Sequence, residues 1–153
     1  MLFRSAITTA EHVTRVVLAG ADANSVDSGF SFNAVTTTRD GDDVGGNRTI
    51  QGSLRQFLIN SNALDNTNPD YGIQSSNFSI GGGGIQTIDL GASPVLLPDI
   101  TDTVILDATT QEGSPGQPEI MLDGHDAVGN GFTLTATADN STIRGFIIRD
   151  FNG

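Results

Sequence analysis

Cysteine is absent from the 153 residues. That excludes disulfide crosslinks, thiolate metal sites and cysteine nucleophiles, and it suits an exported protein without crosslinks as well as a cytosolic one. Basic side chains are scarce: 7 Lys and Arg face 18 Asp and Glu, a formal net charge of −11. Nucleic acid and anionic membrane surfaces attract clustered positive charge, so neither is an expected partner. No apolar run approaches the roughly 20 residues that span a bilayer, so membrane insertion is not expected either. The opening MLFRSAITTAEHVTRVVLAG places Glu11, His12 and Arg15 where a signal peptide needs an uncharged apolar region. If the protein is exported, its signal is expected to lie upstream of Met1.

Aromatic residues are few, while glycine is abundant at 19 residues and Thr, Asn, Asp and Ser are plentiful. The chain is too apolar for a disordered segment and too rich in turn formers for a helical bundle. One stretch stands apart. In GSLRQFLINSNAL, Leu54, Phe57, Leu58 and Ser61 recur at helical spacing and make one mostly apolar face. Ser53 followed by Gln56 matches a capping box, in which the hydroxyl accepts a backbone N–H and the amide side chain reaches back. These signals predict a helix over 53–64, ended by the turn residues around Pro69. On this reading Leu54, Phe57 and Leu58 face a core, and Arg55 and Asn60 point outward.

The rest reads as short strands between turns. Phe30, Phe32, Ala34 and Thr36 alternate with Ser31, Asn33, Val35 and Thr37, a period of two. From residue 78 onward, clusters such as IQTIDL, VILDA, EIMLDG, FTLTATA and STIRGFIIRDF are bounded by glycine-rich or polar turns. Ile120 and Leu122 fall on one strand face, and Phe132, Leu134 and Ala136 on another, while Gly145 marks a bend. No helical pattern separates these clusters, so helical crossovers are not expected. Periodicity leaves two architectures open: an antiparallel β-sandwich, or a solenoid of stacked strands whose raw first edge the helix would cover.

Several stretches resemble one family. GSLRQFLINSNAL resembles the "GSLRQAI…AN" segment that opens many bacterial right-handed parallel β-helix proteins, large secreted or surface-attached adhesin-like chains. LPDITDTVILDATTQEGSPGQPEIMLDG resembles their "LPAIT…V.IDGTTQPG…G.P.I.LDG" stretch, with Ala108 where that pattern has glycine. GNGFTLTATADNSTIRGFIIRDFNG resembles a later coil. The resemblance spans about residues 30–153 and keeps its order. It implies a right-handed parallel β-helix, all-β apart from one N-terminal capping helix. Residues 1–29 would be an N-terminal extension or the tail of an Ig-like module, 30–77 the cap, and 78–153 the first coils of a longer stack. Ser53, Leu54, Gln56, Phe57 and Leu58 would form the structural cap. The function it implies is a non-catalytic structural or adhesion-type module at the bacterial cell surface. Its expected partners are adjacent coils of the same longer chain, and a carbohydrate or cell-surface ligand.

Two other functions fit the same residues. In RDGDDVGGN, Asp40, Asp42, Asp43 and Asn47 put oxygen ligands on a glycine-rich loop, as a hard cation such as Ca²⁺ requires. The spacing lacks the Glu of an EF-hand, and a solvated turn is the plainer reading. A Ca²⁺- or carbohydrate-binding module is thus one alternative. The other is a polysaccharide lyase or glycosidase whose groove lies outside this chain. Glycoside hydrolysis needs two facing carboxylates. Asp107 and Asp123 each end a strand-like cluster, and Arg144 and Arg149 are the basic residues of the last one. His125, in the turn LDGHDAVGNG, reads as a polar loop residue. No catalytic residue and no cofactor is assigned.

Overall fold

The computed structural model describes residues 33–40, 50–64, 66, 72–90, 96–113 and 116–153, all within the unit Phe32–Gly153. The expected extension over 1–29 lies outside them.

The helix α1 spans Leu54–Ala63. Ser53 is its N-cap, accepting from Gln56 N at 3.1 Å, and Gln56 Oε1 in turn accepts from Gly52 N at 2.8 Å. The box therefore closes one residue earlier than its usual form, on a glycine held at positive φ (+74°). Leu54, Phe57 and Leu58 are each no more than 1% exposed, as their spacing predicts. Arg55 is a correction. It is buried rather than outward, for a reason given below.

The described residues also form eight strands: β1 (Ala34–Val35), β2 (Gln74–Ser75), β3 (Asn77–Phe78), β4 (Gln86–Asp89), β5 (Val104–Asp107), β6 (Ile120–Ala127), β7 (Thr142–Arg144) and β8 (Phe146–Phe151). They form three small sheets, in the orders β1-β3, β2-β5-β7 and β4-β6-β8. Every pairing among the described residues is parallel. The antiparallel sandwich is therefore excluded for them.

The right-handed parallel β-helix is also corrected. Among the described residues there are one α-helix and short parallel strands in three small sheets, and a β-helix is not shown. Most of the strands are only two to four residues long, and side chains interrupt the ladders. The first sheet stops at β3, where Phe78 N donates to Thr110 Oγ1 and Ile80 N donates to Gln111 Oε1. These acceptors sit on and just after a 3₁₀ turn, Ala108–Thr110, where a further strand would have to run. FTLTATA is not a strand either. It makes one isolated parallel bridge, Ile100 to Leu134, and then a 3₁₀ turn over Ala136–Ala138. The Thr135 and Thr137 hydroxyls donate to the carbonyls of Ile100 and Thr101, so side chains occupy ladder positions.

The core runs through all three sheets. Val35, Phe78, Ile88, Val104, Leu106, Ile120 and Leu122 are buried together with the helix residues. In β1 the buried residue is Val35, not the alternating set of Ala34 and Thr36. In the third sheet the inward column is Ile88, Leu122 and Ile148, in register. Its exposure runs 1%, 0% and then 49%. Phe132, Ile143, Phe146 and Phe151 are only partly covered, and Phe146 sits edge-on to both Phe78 and Phe132.

Candidate functional site

Two Asp–Arg pairs stand out among the described residues, one at the ends of β5 and β7 and one midway along β6 and β8. Asp107 closes β5, in register with Arg144 at the end of β7. Asp107 Oδ1 accepts from Thr109 N (3.1 Å) and Thr109 Oγ1 (2.5 Å), a side chain turning onto its own following backbone. Its Oδ2 accepts from Arg144 Nη2 at 2.5 Å.

Asp123, in β6, repeats the arrangement in the neighbouring sheet. Its Oδ1 accepts from the backbone N–H two residues on, His125 N, at 3.0 Å. Its Oδ2 accepts from Arg149 Nε (3.0 Å) and Nη2 (2.5 Å), in register on β8. Arg149 also lies 3.4 Å from Asp150, and His125 lies 3.8 Å from Asp89, the in-register neighbour of Asp123.

Both aspartates are buried, with about a tenth of each side chain exposed (11% for Asp107, 10% for Asp123), whereas the arginine side chains are more than half exposed. The Arg144 hydrogen bond, helped by Thr109 and opposed by burial, holds the Asp107 carboxyl down to about 2. The Arg149 hydrogen bond, followed by the His125 N–H, likewise lowers Asp123. A carboxyl held below its ordinary range is a poor proton donor near neutral pH. Asp107 and Asp123 also lie in different sheets, each engaged by its own arginine. Glycoside hydrolysis needs two facing carboxyls, one of them protonated, whereas here each carboxyl is held low by its own arginine.

The suggested Ca²⁺ loop resolves differently. Asp42, Asp43 and Asn47 lie outside the described residues. Asp40 is described, and its Oδ2 accepts from Arg55 Nε (3.1 Å) and Nη2 (2.5 Å). Arg55 Nη1 donates to the carbonyl of Leu96 at 2.9 Å. The arginine expected to face water is thus buried as the charge partner of the carboxylate expected to face a cation. Among the described residues no three His, Asp or Glu side chains gather as a metal site.

The helix has a second polar role. Asn62 Nδ2 donates to Asp99 O (2.7 Å), and Asn62 Oδ1 accepts from Thr101 N (2.9 Å). On the other side of the same segment, Ile100 N bonds Thr133 O and Ile100 O bonds Thr135 N. One carboxamide therefore occupies the position of a neighbouring strand. Four residues further on, Asn66 N donates to Asp102 Oδ2 and Asn66 Nδ2 to Thr103 O. Sequence reasoning missed these edge contacts and both Asp–Arg pairs. The only local signal for the pairs was an aspartate ending each strand-like cluster, followed by Ala108 or Gly124, although β6 in fact continues past Asp123 to Ala127.

His125 and Asp126 adopt positive φ (49° and 65°) where the β6–β8 register shifts. Ala108, standing where the resembled pattern has glycine, is buried in its 3₁₀ turn and is not among the positive-φ residues. The substitution therefore carries no backbone strain. No protein family, characterised relative or solved structure matches the chain.

Proposed function

We propose that this chain is a non-catalytic structural module of an extracellular bacterial surface protein, closed at one end by its helix and open to further strands at the other. The observation that carries this reading is the gradient along Ile88, Leu122 and Ile148, from 1% and 0% to 49% exposed. An apolar column that ends half in water suits a unit built to be continued on that side.

The blocked and open edges support the same polarity. At the helix end, the Asn62 and Asn66 carboxamides hydrogen-bond the backbone of Asp99, Thr101 and Thr103, and Asn66 N donates to the Asp102 carboxylate. At the far end, β7 and β8 are the last strands of their sheets among the described residues. An unpaired strand edge is a template for pairing with more chain. The Asp107 and Asp123 geometry favours structural charges over acid–base catalysis.

A glycan array combined with reducing-sugar and unsaturated-uronate assays tests the reading. Inertness in all three is the expected result. Turnover of any polysaccharide by this chain alone overturns it.

A further inference from the structure

Glycine follows aspartate or asparagine at four steps of the chain: Asp40–Gly41, Asp123–Gly124, Asn130–Gly131 and Asn152–Gly153. The chemistry open to such a step is intramolecular. A glycine backbone nitrogen, with no Cβ beside it, can reach the side-chain carbonyl carbon of the residue before and close a five-membered ring. Ring closure needs a side chain free to turn and a nitrogen free to attack.

The structure separates the four steps. Asp40 is held by Arg55, and Gly41 lies outside the described residues. Both oxygens of Asp123 are engaged, Oδ1 by His125 N and Oδ2 by Arg149. Asn152 is exposed but tied: its backbone N donates to Ala127 O at 3.0 Å, and its Nδ2 to Asp126 O at 3.2 Å. Asn130 is also exposed, between β6 and Phe132 and outside any strand. Among the described residues neither its carboxamide nor Gly131 N makes a hydrogen bond. Its Oδ1 rests against Gly153, where a Cβ would lie 2.6 Å away. The two asparagine–glycine steps therefore share one patch of surface, and only one of them is tied. Beneath Asn130 the packing is close. Gly131 is buried, and a Cβ there would lie 2.8 Å from Ile148 Cγ2 and 3.2 Å from Phe151 Cε2.

We propose that Asn130 is a self-modification site. Gly131 N attacks Asn130 Cγ, and the new C–N bond closes a succinimide. The carboxamide C–N bond breaks, and ammonia leaves with the proton from Gly131 N. Water, the sole co-reactant, then adds to one of the two ring carbonyls. Opening one ring C–N bond gives aspartate. Opening the other gives isoaspartate, whose main chain runs through the former side chain and gains a methylene. Either product places a negative charge beside Gly153. Only isoaspartate lengthens the backbone ahead of Gly131, where Ile148 and Phe151 leave no room, so this form loosens the end of β8. The change is one-way, quickens as pH rises, and stands apart from the module reading.

Ageing the intact protein at mildly alkaline pH tests this, with ion exchange to separate the more acidic forms and peptide mapping by mass spectrometry. Conversion at Asn130 is expected to run about two- to ten-fold faster than at Asn152, the margin of one exposed hydrogen bond. In urea-unfolded protein the two rates should converge. The isolated isoaspartate form should lose hydrogen-exchange protection in β8 near Phe151. Asn130→Asp carries the charge without the methylene and should keep that protection. Asn130→Gln, which would have to close a larger ring, should not age at this position. No conversion at Asn130 in the folded protein, or conversion no faster than at Asn152, overturns the inference. So does an isoaspartate form protected like unaged protein, or an equal loss of protection in Asn130→Asp.

Discussion

Arg55 and Asp40 close on each other across 15 residues of chain, with side chains 7% and 1% exposed and Nη2 to Oδ2 at 2.5 Å. The contact ties the first turn of the helix to the segment after β1. Arg55 Nη1, on the carbonyl of Leu96, ties the same turn to the approach to β5. One guanidinium thus joins three stretches of chain that share no backbone ladder. Arginine suits this position because its donors are fixed in a plane and its charge survives burial.

Removing one partner leaves the other charge buried and unanswered. Arg55→Met is expected to cost about 3–5 kcal/mol in unfolding free energy. The double variant Arg55→Met, Asp40→Leu is expected to recover much of that, since a well-packed apolar pair avoids the desolvation of both charges. Urea melts of the wild type, the two single variants and the double variant measure the coupling. Equal stability of Arg55→Met and wild type would show that the pair is solvated.

The Asp107–Arg144 and Asp123–Arg149 pairs predict an acid limb. Asp107 and Asp123 both titrate lower in the folded protein than their ordinary value of 3.8, with Asp107 near 2. Such groups contribute stability that is fully present above the unfolded value. It is lost as pH falls through the folded one. The urea midpoint is expected to hold from neutral pH down to about pH 5 and then to fall steadily toward pH 2. Arg144→Gln removes the largest cause of the Asp107 shift, so its acid limb should be shallower than that of the wild type. Parallel limbs would mean that other carboxylates dominate the loss.

How much of this was legible beforehand follows from the range of each interaction. The helix was legible because its signals are local: Ser53 and Gln56 cap it within four residues, and Leu54, Phe57 and Leu58 repeat at its period. Ile120 and Leu122 were legible because a strand alternates its faces wherever it pairs. Arg55 was misread because its partner lies a loop away, and a charge on a helix is solvated unless something distant answers it. FTLTATA was misread because its threonine hydroxyls reach backbone carbonyls of the adjacent segment, which periodicity does not register. The continuous spiral failed for a related reason. The residues that end the first sheet, Thr110 and Gln111, look like ordinary turn residues until their hydrogen bonds to β3 are seen.

Asn62 predicts a change in association rather than in fold. Its carboxamide holds both Asp99 O and Thr101 N, and the contact is exposed, so each bond contributes only about 0.5–1.5 kcal/mol. Asn62→Ala frees the backbone edge of residues 99–101. The expected outcome is modest destabilisation together with concentration-dependent self-association, measured by light scattering. Asn62→Asp keeps an acceptor for Thr101 N and loses the donor to Asp99 O, so it should fall between the two. An Asn62→Ala protein that stays monodisperse at every concentration would mean that the edge is shielded by other groups.

Phe57 tests whether the helix is a lid at all. It is fully buried, between Leu54 and Leu58 on the face that meets the core. Phe57→Ala removes most of a large side chain from a packed site, at an expected cost of about 3–5 kcal/mol. A small domain commonly has only about 5–15 kcal/mol in total, so the variant should melt far below the wild type. Phe57→Asp goes further: a carboxylate there has neither water nor a designed partner, so the helix must leave its place or the chain must unfold. Either outcome bares the apolar surface beneath it, and aggregation is expected. A Phe57→Asp protein that is soluble and melts like the wild type would mean that the helix covers nothing, and the one-ended construction proposed for this module would fail with it.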